Sequence, residues 1–320
     1  MTDANTVLIL GAAGRFGRHA TAEFAAAGWQ VRALVRPGRA PIPGAETIHG
    51  DAADADVVTR AAFGADVIVQ ACNPRYTDWG SRLRPLTHAA SAAAIAADAV
   101  LLVPGSVYPY GNALPPVLTE ATPHAATFGK PLIRARLEAA LRAACDRGMR
   151  CILLRAGDFL DDRPTGNWFE SHIAAQVGKD RIAYPGPLGL DHAWAYLPDL
   201  ARAARMLADR RADLPAFAVY GFEGYALTGA ELIALVAQAA GRPMRAAAFP
   251  WSLLQIGSLV SPMMREVLEM RYLWNRPHRI DGAALAAVLP DFTPTPALQA
   301  IRASVAGIEA VRNAGRARAA

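Results

Sequence analysis

The sequence predicts an α/β protein, with a doubly wound parallel sheet and a smaller, mainly helical lobe at the C-terminal end. Short apolar runs alternate with helix-forming stretches over the first 160 residues, and the first of these runs ends in a glycine-rich turn. Beyond residue 160 the alternation lapses and helical patterns dominate. They include a helix predicted for residues 167–177 and one for 228–240, which Thr228 caps with Glu231 three residues on. Strands and helices that alternate at this spacing form parallel sheets with helices on both faces.

The turn after the first predicted strand, residues 6–10, has the pattern G-x-x-G-x-x-G. Gly11 permits a sharp turn, Gly14 the close approach of a phosphate, and Gly17 the tight packing of helix on sheet. The unpaired amides that open the next helix then face an anion, which is typical of Rossmann-type dinucleotide-binding folds. The residues predicted to hold the pyrophosphate are Gly11, Ala13, Gly14, Arg15, Phe16 and Gly17.

Residues that follow the second and third strands bear on the choice of dinucleotide. The strand at 30–35 ends at Arg36, where a basic side chain favours the 2′-phosphate of NADP and an acidic one the free hydroxyl of NAD. We therefore expect NADP, with NAD as the alternative; an arginine on a solvated loop is the competing interpretation. Asp51 and Ala52 follow the third strand, where a carboxylate can accept the adenine amino group or cap the next helix.

Polar and aromatic residues follow the fourth and fifth strands, at the edge where ligands bind in open parallel sheets. Ala71 and Asn73 end the fourth strand and are expected to contact the cofactor. Tyr76 and Trp79 follow on a loop that would cover the substrate, or would form a packed turn. After the fifth strand, Ser106 and Tyr108 are placed to meet the substrate beside the nicotinamide.

Over most of its length the chain resembles the extended short-chain dehydrogenase/reductase superfamily, the NAD-dependent epimerase/dehydratase group, and in particular an atypical branch of it. The motifs that carry the resemblance are the glycine turn, Gly50-Asp51, the segment 106–111, and Leu154-Arg155-Ala156-Gly157-Asp158-Phe159. The resemblance implies that Ser106, counted back from Tyr110-Gly111, is the serine that hydrogen-bonds the reacting oxygen.

The main departure from this family lies on the helix predicted for residues 130–147. The family carries Tyr-x-x-x-Lys there, and this chain carries Lys130 and Arg134. In one account Lys130 donates the proton and contacts the cofactor, because Arg134 and burial lower its pKa, while Arg134 holds the ribose. In the other, proton transfer is lost or has moved to a tyrosine such as Tyr108, Tyr110 or Tyr184.

Two further pairs of charged residues allow more than one interpretation. Arg155 and Asp158 end the sixth strand and are expected to contact the substrate; Arg155 could instead pair with Asp158 or Asp161 as a buried bridge. Glu266 and Glu269 could act as acid or base, although a solvated helix face explains them more simply.

Composition narrows the classes of function. The chain has 320 residues, 53% of them apolar, and a net charge of +5, which suits a soluble enzyme with an anionic cofactor. The arginines are dispersed and no basic block is interleaved with aromatics, so we expect no nucleic-acid partner. No apolar run reaches the roughly 20 residues needed to span a bilayer, and we expect no integral membrane association. Three cysteines without metal spacing indicate a cytoplasmic location and no metal site.

The pattern divides the chain into an NADP-binding domain at 1–160, a first substrate-lobe segment at 161–189, a return to the first domain at 190–221, and a helical substrate lobe at 222–320.

The function expected is hydride transfer between NADP and a small carbonyl or hydroxyl, sugar-like substrate, by an oxidoreductase or epimerase. The alternative is a non-catalytic NADP-binding sensor or scaffold. A surface-associated lipid or quinone reductase, drawing on residues 251–264, is a third possibility. A homodimer through the helix at 81–98 is compatible with the small residues of that helix.

Overall fold

The computed structural model describes residues 4–319, with side chains described for residues 4–314. The strands are β1 (Thr6–Leu10), β2 (Gln30–Val35), β3 (Glu46–His49), β4 (Val67–Gln70), β5 (Val100–Ser106), β6 (Val117–Leu118), β7 (Arg150–Ala156), β8 (Asp158–Leu160), β9 (Arg181–Tyr184), β10 (Asp191–Tyr196), β11 (Phe217–Gly221), β12 (Tyr225–Thr228), β13 (Arg245–Ala248) and β14 (Arg279–Ile280). The α-helices are α1 (Arg15–Ala26), α2 (Ala55–Ala61), α3 (Trp79–Ala96), α4 (Gly129–Cys145), α5 (Leu197–Asp209), α6 (Gly229–Ala240), α7 (Trp251–Gly257), α8 (Pro262–Glu269), α9 (Ala283–Val288) and α10 (Ala297–Ala319).

Seven parallel strands form the central sheet, in the order β11-β7-β5-β4-β1-β2-β3. The predicted Rossmann-type fold is confirmed. Every residue of β1 and of β4 is buried, as expected for strands covered on both faces. The chain leaves β1 for β2 on one side and returns to β4 on the other, so a ligand crevice is expected at the carboxyl ends of β1 and β4.

Helices cover both faces of this sheet. On one face, Phe24 of α1 and Leu200 of α5 belong to a buried cluster with the sheet. On the other, Val58 of α2, Leu86 of α3 and Leu141 of α4 do the same. The small residues of α3, including Ala89, Ala90 and Ala93, are fully buried in this second cluster, so the face considered for a homodimer packs largely inside the chain.

The second lobe is built from three short sheets and the remaining helices, and it differs from the sequence-based expectation in two places. The strand expected to carry the chain back across the main sheet, β10, joins β8 and β12 in a separate three-stranded sheet, whereas β11 enters the main sheet. Leu285 of α9 also packs in the main core, so the segment 222–320 is shared between the lobes. The proposed domain boundaries stay predictions.

The helix expected at 167–177 is reduced to a π-helical turn, Phe169–Ile173, and a 3-10 turn, Val177–Lys179. Asp180 ends the second turn in the left-handed region with a φ of 55°, which stops further helical growth. Among the described residues, no helix has both the length and the hydropathy required to cross a membrane.

Candidate active site

The glycine turn after β1 is shaped by close backbone contacts that leave no room for side chains. Gly11 has a positive φ of 82°, and its carbonyl accepts a hydrogen bond from the Gly14 amide at 2.8 Å. A Cβ atom on Gly17 would lie 2.2 Å from the same carbonyl oxygen. Gly14 is the N-cap of α1 and gives the helix no side-chain cap, so the first amides of α1 stay available to an anion.

A cleft of about 680 Å³ begins at this turn and follows the carboxyl ends of β4, β5 and β7. The predicted site residues that line it are Ala13, Gly14, Arg15, Phe16, Ala71, Asn73, Tyr76, Trp79, Ser106, Tyr108, Arg134 and Asp158. The predicted residues outside its lining are Gly11, Gly17, Arg36, Asp51, Ala52, Lys130 and Arg155.

Arg15 ties the glycine turn to the second lobe. Its guanidinium donates hydrogen bonds to the carbonyl oxygens of Thr165 at 3.1 Å and Gly166 at 2.9 Å. The Glu170 carboxylate holds the same loop from the other side, accepting from the amides of Thr165 at 2.6 Å and Gly166 at 2.7 Å. Burial raises the pKa of Glu170 in spite of these bonds. The loop is thereby fixed beside the dinucleotide end of the cleft.

Two arginines flank the carboxylate expected to contact adenine. Asp51 Oδ1 accepts from the Ala53 amide at 3.0 Å and from Arg82 at 2.9 Å. These two bonds, followed by the charge of Arg36, lower the pKa of Asp51 in spite of partial burial. Asp54, not Asp51, caps α2. Arg36 is exposed at the end of β2. Arg82, on α3, is a second cation beside Asp51 and was not predicted from the sequence.

Tyr76, Ser106 and Tyr108, at the end of β5 and in the turns after β4 and β5, line the cleft together. Ser106 Oγ is buried and has no hydrogen-bond partner among the described residues. The Tyr108 hydroxyl lies 3.1 Å from that of Tyr76. Burial raises the pKa of Tyr108 well above its usual range, so this phenol keeps its proton at neutral pH.

Arg134 projects from α4 into the cleft. Its guanidinium donates to Asn73 Oδ1 at 3.2 Å and lies 4.5 Å from the centroid of the Trp79 ring. Burial lowers the pKa of Arg134, although a guanidinium still remains charged at neutral pH. Arg134 Nε is buried with no partner in the described part of the chain. A cation therefore occupies the position where the resembled family has its lysine.

Lys130 lies at the start of α4, and its ammonium is 5.4 Å from the ring centroid of Tyr76. The side chain is 2% exposed and its ammonium pairs with Glu266 and, at 3.1 Å, with Glu269 of α8. The Lys130 amide also donates to Glu269. Lys130 is not among the residues that line the cleft, and its expected roles in catalysis and cofactor binding stay predictions. Glu266 and Glu269 were expected to form a solvated helix face, and instead both pair with the ammonium of Lys130.

Arg155 does not line the cleft itself, but its side chain binds two residues that do, Glu138 and Ser106. It forms a two-point ion pair with Glu138, at 3.0 and 2.7 Å, and donates to the Ser106 carbonyl at 2.5 Å. Burial would raise the pKa of Glu138, but His124 and Arg155 together lower it. The expected substrate contact and the expected pairing with Asp158 or Asp161 are both replaced by this bridge between α4 and β7, which supports the backbone of Ser106.

Asp158 lines the cleft and is backed by a histidine that sequence reasoning missed. Asp158 Oδ2 lies 2.8 Å from His192 Nε2. His192 stacks on Trp274 at 4.0 Å and meets the edge of His278 at 4.5 Å. Asp158 and His192 are 34 residues apart and meet only because β8 pairs with β10, so no local spacing reveals them.

His19, Asp161 and Asp162 bring three ligand-type atoms within 4.8 Å of one another. Arg18 lies 2.5 Å from Asp161 in the same cluster. The His19 hydrogen bond and the charges of His19 and Arg18 lower the pKa of Asp161 against the opposing effect of burial. An ion-pair network accounts for these contacts, and the expectation of no metal site stays a prediction.

Comparison with known proteins agrees with the fold and the glycine turn. A family model described as NAD(P)H-binding matches residues 11–182, which is more than half of the chain. The chain therefore belongs to the NAD(P)H-binding family. No curated protein matches the sequence.

Several solved structures share the fold over almost their whole length. MoeE5 in complex with UDP-glucose and NAD is 19% identical, with a TM-score of 0.75 over 96% of this chain and 100% of that one. UDP-glucose 4-epimerase from Bifidobacterium longum, in complex with NAD+ and UDP, is 17% identical, with a TM-score of 0.73 over 97% and 99%. A nucleoside-diphosphate-sugar epimerase from Pseudomonas aeruginosa is 18% identical, with a TM-score of 0.68 over 95% and 97%. At these identities the likeness shows the fold alone.

The cleft fits the dinucleotide that this family binds. The uncapped start of α1 suits a pyrophosphate, and the guanidinium of Arg134 with the Asn73 amide suits ribose hydroxyls. The unpartnered hydroxyl of Ser106 and the unpartnered Nε of Arg134 are the buried polar atoms that a ligand would satisfy.

Proposed function

We propose that the protein is an NADP-dependent oxidoreductase that transfers a hydride between the nicotinamide and a small, sugar-like carbonyl or hydroxyl substrate. The observation that carries this proposal is the continuity of one cleft from the uncapped start of α1 to the unpartnered hydroxyl of Ser106. Structural neighbours in complex with NAD and UDP-glucose, or with NAD+ and UDP, support the same arrangement. When bound, the nicotinamide ring supplies or accepts the hydride.

Ser106 and Tyr108 are the groups proposed to act on the substrate oxygen. Ser106 Oγ has its hydrogen free to donate, and Tyr108 retains a proton that a developing alkoxide can take. At neutral pH the phenol of Tyr108 carries its proton, which is the form required when the oxygen of a carbonyl substrate gains a proton during reduction.

Arg134 is proposed to hold the ribose and to place positive charge beside the reacting oxygen. Lys130 is then a positioning residue that fixes the start of α4 against α8 through its pairs with Glu266 and Glu269. Asp158 presents an acceptor on the opposite wall, oriented by His192.

The preference for NADP over NAD rests on Arg36 and Arg82, which surround the carboxylate of Asp51. Arg36 lies at the end of β2, where a cation favours an additional phosphate, and Arg82 of α3 adds positive charge beside Asp51. We also propose a cytoplasmic location, since all three cysteines are free. The homodimer stays a proposal.

The alternative is a sensor or scaffold that binds NADP without turnover, and the sequestered Lys130 favours it. The two are separated by titrating the protein with NADPH and NADH, by nicotinamide fluorescence, and then following NADPH oxidation with a panel of aldehydes, ketones and nucleotide sugars. Oxidation that falls in Ser106→Ala while NADPH binding persists supports the enzyme. Binding without oxidation across the panel supports the sensor, and no binding of either coenzyme contradicts both.

A further inference from the structure

The hairpin formed by α7, the turn 258–261 and α8 exposes an unusual concentration of apolar side chains. Of the ten large apolar side chains that are exposed in the described part of the chain, six lie here. They are Leu253, Ile256, Leu259, Val260, Met263 and Met264. Leu259 and Val260, at the tip, are 82% and 87% exposed. Contiguous exposed apolar surface of this kind marks a binding site for a partner or a membrane.

The charges that flank this hairpin in the sequence are mostly positive. The segment 246–264 carries no charged residue, and five exposed arginines lie on either side of it. These arginines are Arg245, Arg265, Arg271, Arg276 and Arg279. None of them forms an ion pair among the described residues, and the guanidinium of Arg271 lies 5.4 Å from the Trp251 ring centroid. Between residues 243 and 280 the acidic residues are Glu266 and Glu269, whose charges are engaged by Lys130.

We propose that the α7–α8 hairpin docks the protein on an anionic lipid surface. A protruding apolar tip flanked by uncompensated arginines matches the acyl boundary and the headgroups of such a membrane, respectively. A second copy of the chain fits less well, because a two-fold contact through this patch would bring the same arginines together. Each arginine near an anionic surface strengthens binding about fivefold.

Docking at this hairpin would place the cleft beside the lipid surface. Met263 and Val267 belong to α8, the second helix of the hairpin, and both also line the cleft. The inference goes beyond the proposed function and does not depend on it, since the test below needs no substrate.

The test is co-sedimentation of the full chain with vesicles of phosphatidylcholine alone and of phosphatidylcholine mixed with phosphatidylglycerol. We expect binding to the anionic vesicles that weakens with salt, and a decrease of at least tenfold in the double variant Leu259→Asp/Val260→Asp. Phe63→Asp is the matched control, because Phe63 is 82% exposed on a different surface and should leave the binding unchanged. Arg265→Gln/Arg271→Gln should lower binding to anionic vesicles about twentyfold.

Circular dichroism and thermal melts check that each variant is folded, which we expect because Leu259 and Val260 are 82% and 87% exposed. The proposal is overturned if the wild-type chain stays in the supernatant with both kinds of vesicle, or if the double variant binds as well as the wild type. It is also overturned if light scattering shows a dimer that the double variant dissociates while no vesicle is bound. That result would identify a second copy as the occupant.

Discussion

The hydroxyl groups of Tyr76 and Tyr108 lie 3.1 Å apart, so at any moment one of the two phenols donates to the other. Burial raises the pKa of both, and the pair therefore holds two protons at neutral pH. Both residues line the cleft beside Ser106. The hydrogen bond with Tyr76 therefore orients the Tyr108 hydroxyl through a neutral partner rather than a charged one.

Replacing Tyr108 by Phe should remove the proposed proton donor. We expect kcat for carbonyl reduction to fall by about 10²- to 10⁴-fold, with NADPH affinity unchanged. Tyr76→Phe is the control, because it keeps the Tyr108 proton and should cost about threefold, the effect of one lost orienting bond. Single-turnover kinetics would check both, and equal losses in the two variants would contradict the assignment.

Lys130→Met tests whether Lys130 is a positioning residue. The change leaves Glu266 and Glu269 without their partner, although both are partly exposed and can be hydrated. The free energy of unfolding should fall by about 2 kcal/mol, less than for a fully buried pair. Urea denaturation measures this, and Lys179→Met, at the other, exposed lysine, should change it by less than about 0.5 kcal/mol. A stable Lys130→Met variant that binds NADPH but has lost turnover would instead make Lys130 catalytic.

Gly17→Ala should be destabilising even though alanine favours helices. Its Cβ would meet the Gly11 carbonyl at 2.2 Å, so the turn must move, at a cost of about 2 kcal/mol or more in unfolding free energy. NADPH affinity should fall with it, because the same turn presents the amides. Gly80→Ala, in α3, has no atom within 4 Å of the new Cβ and should stabilise by about 0.5–1 kcal/mol. Thermal melts of the two variants should therefore shift in opposite directions.

Arg36→Glu should weaken NADPH binding about 10- to 100-fold, the cost of losing a charge-assisted contact and adding repulsion. NADH affinity should change by less than about threefold, because NADH has no phosphate at that position. Fluorescence titration of both coenzymes measures the ratio. Arg84→Glu, an exposed change of the same charge on α3, should leave the ratio intact; an equal loss for both coenzymes in Arg36→Glu would count against NADP selection.

His278 should make the protein less stable in acid. Burial, reinforced by His192, lowers its pKa from 6.5 to about 3. Between these values the unfolded chain binds a proton that the folded chain refuses, so stability falls as the pH drops. From pH 6.5 to 5 the loss attributable to this group is about 2 kcal/mol. Denaturant unfolding against pH should show a shallower slope for His278→Gln, while His88→Gln, at an exposed position, should keep the wild-type slope.

Local features were predictable from the sequence because neighbouring residues determine them. The β1 strand, the glycine turn and the Thr228–Glu231 capping box of α6 are all confirmed. Each depends on backbone conformation or on partners within a few residues. The parallel order of the main sheet followed from the alternation of strands and helices.

Pairings between distant side chains were not predictable. Lys130 pairs with Glu269, which is 139 residues away in the sequence. Arg155 pairs with Glu138 rather than with Asp158 or Asp161. A buried charge must find an opposite charge, but the sequence does not tell which of several candidates the packing brings near. Likewise the 167–177 segment forms only a π-helical turn that runs into a 3-10 turn, and the second turn ends at Asp180 in the left-handed region.

Lys130 and Lys179 are the two lysines of this chain, and the first is enclosed while the second is exposed. Amine-reactive reagents will therefore modify Lys179 among the side chains and spare Lys130 as long as α8 stays against α4. The rate at which Lys130 is labelled therefore reports how often α8, the second helix of the apolar hairpin, moves away from α4.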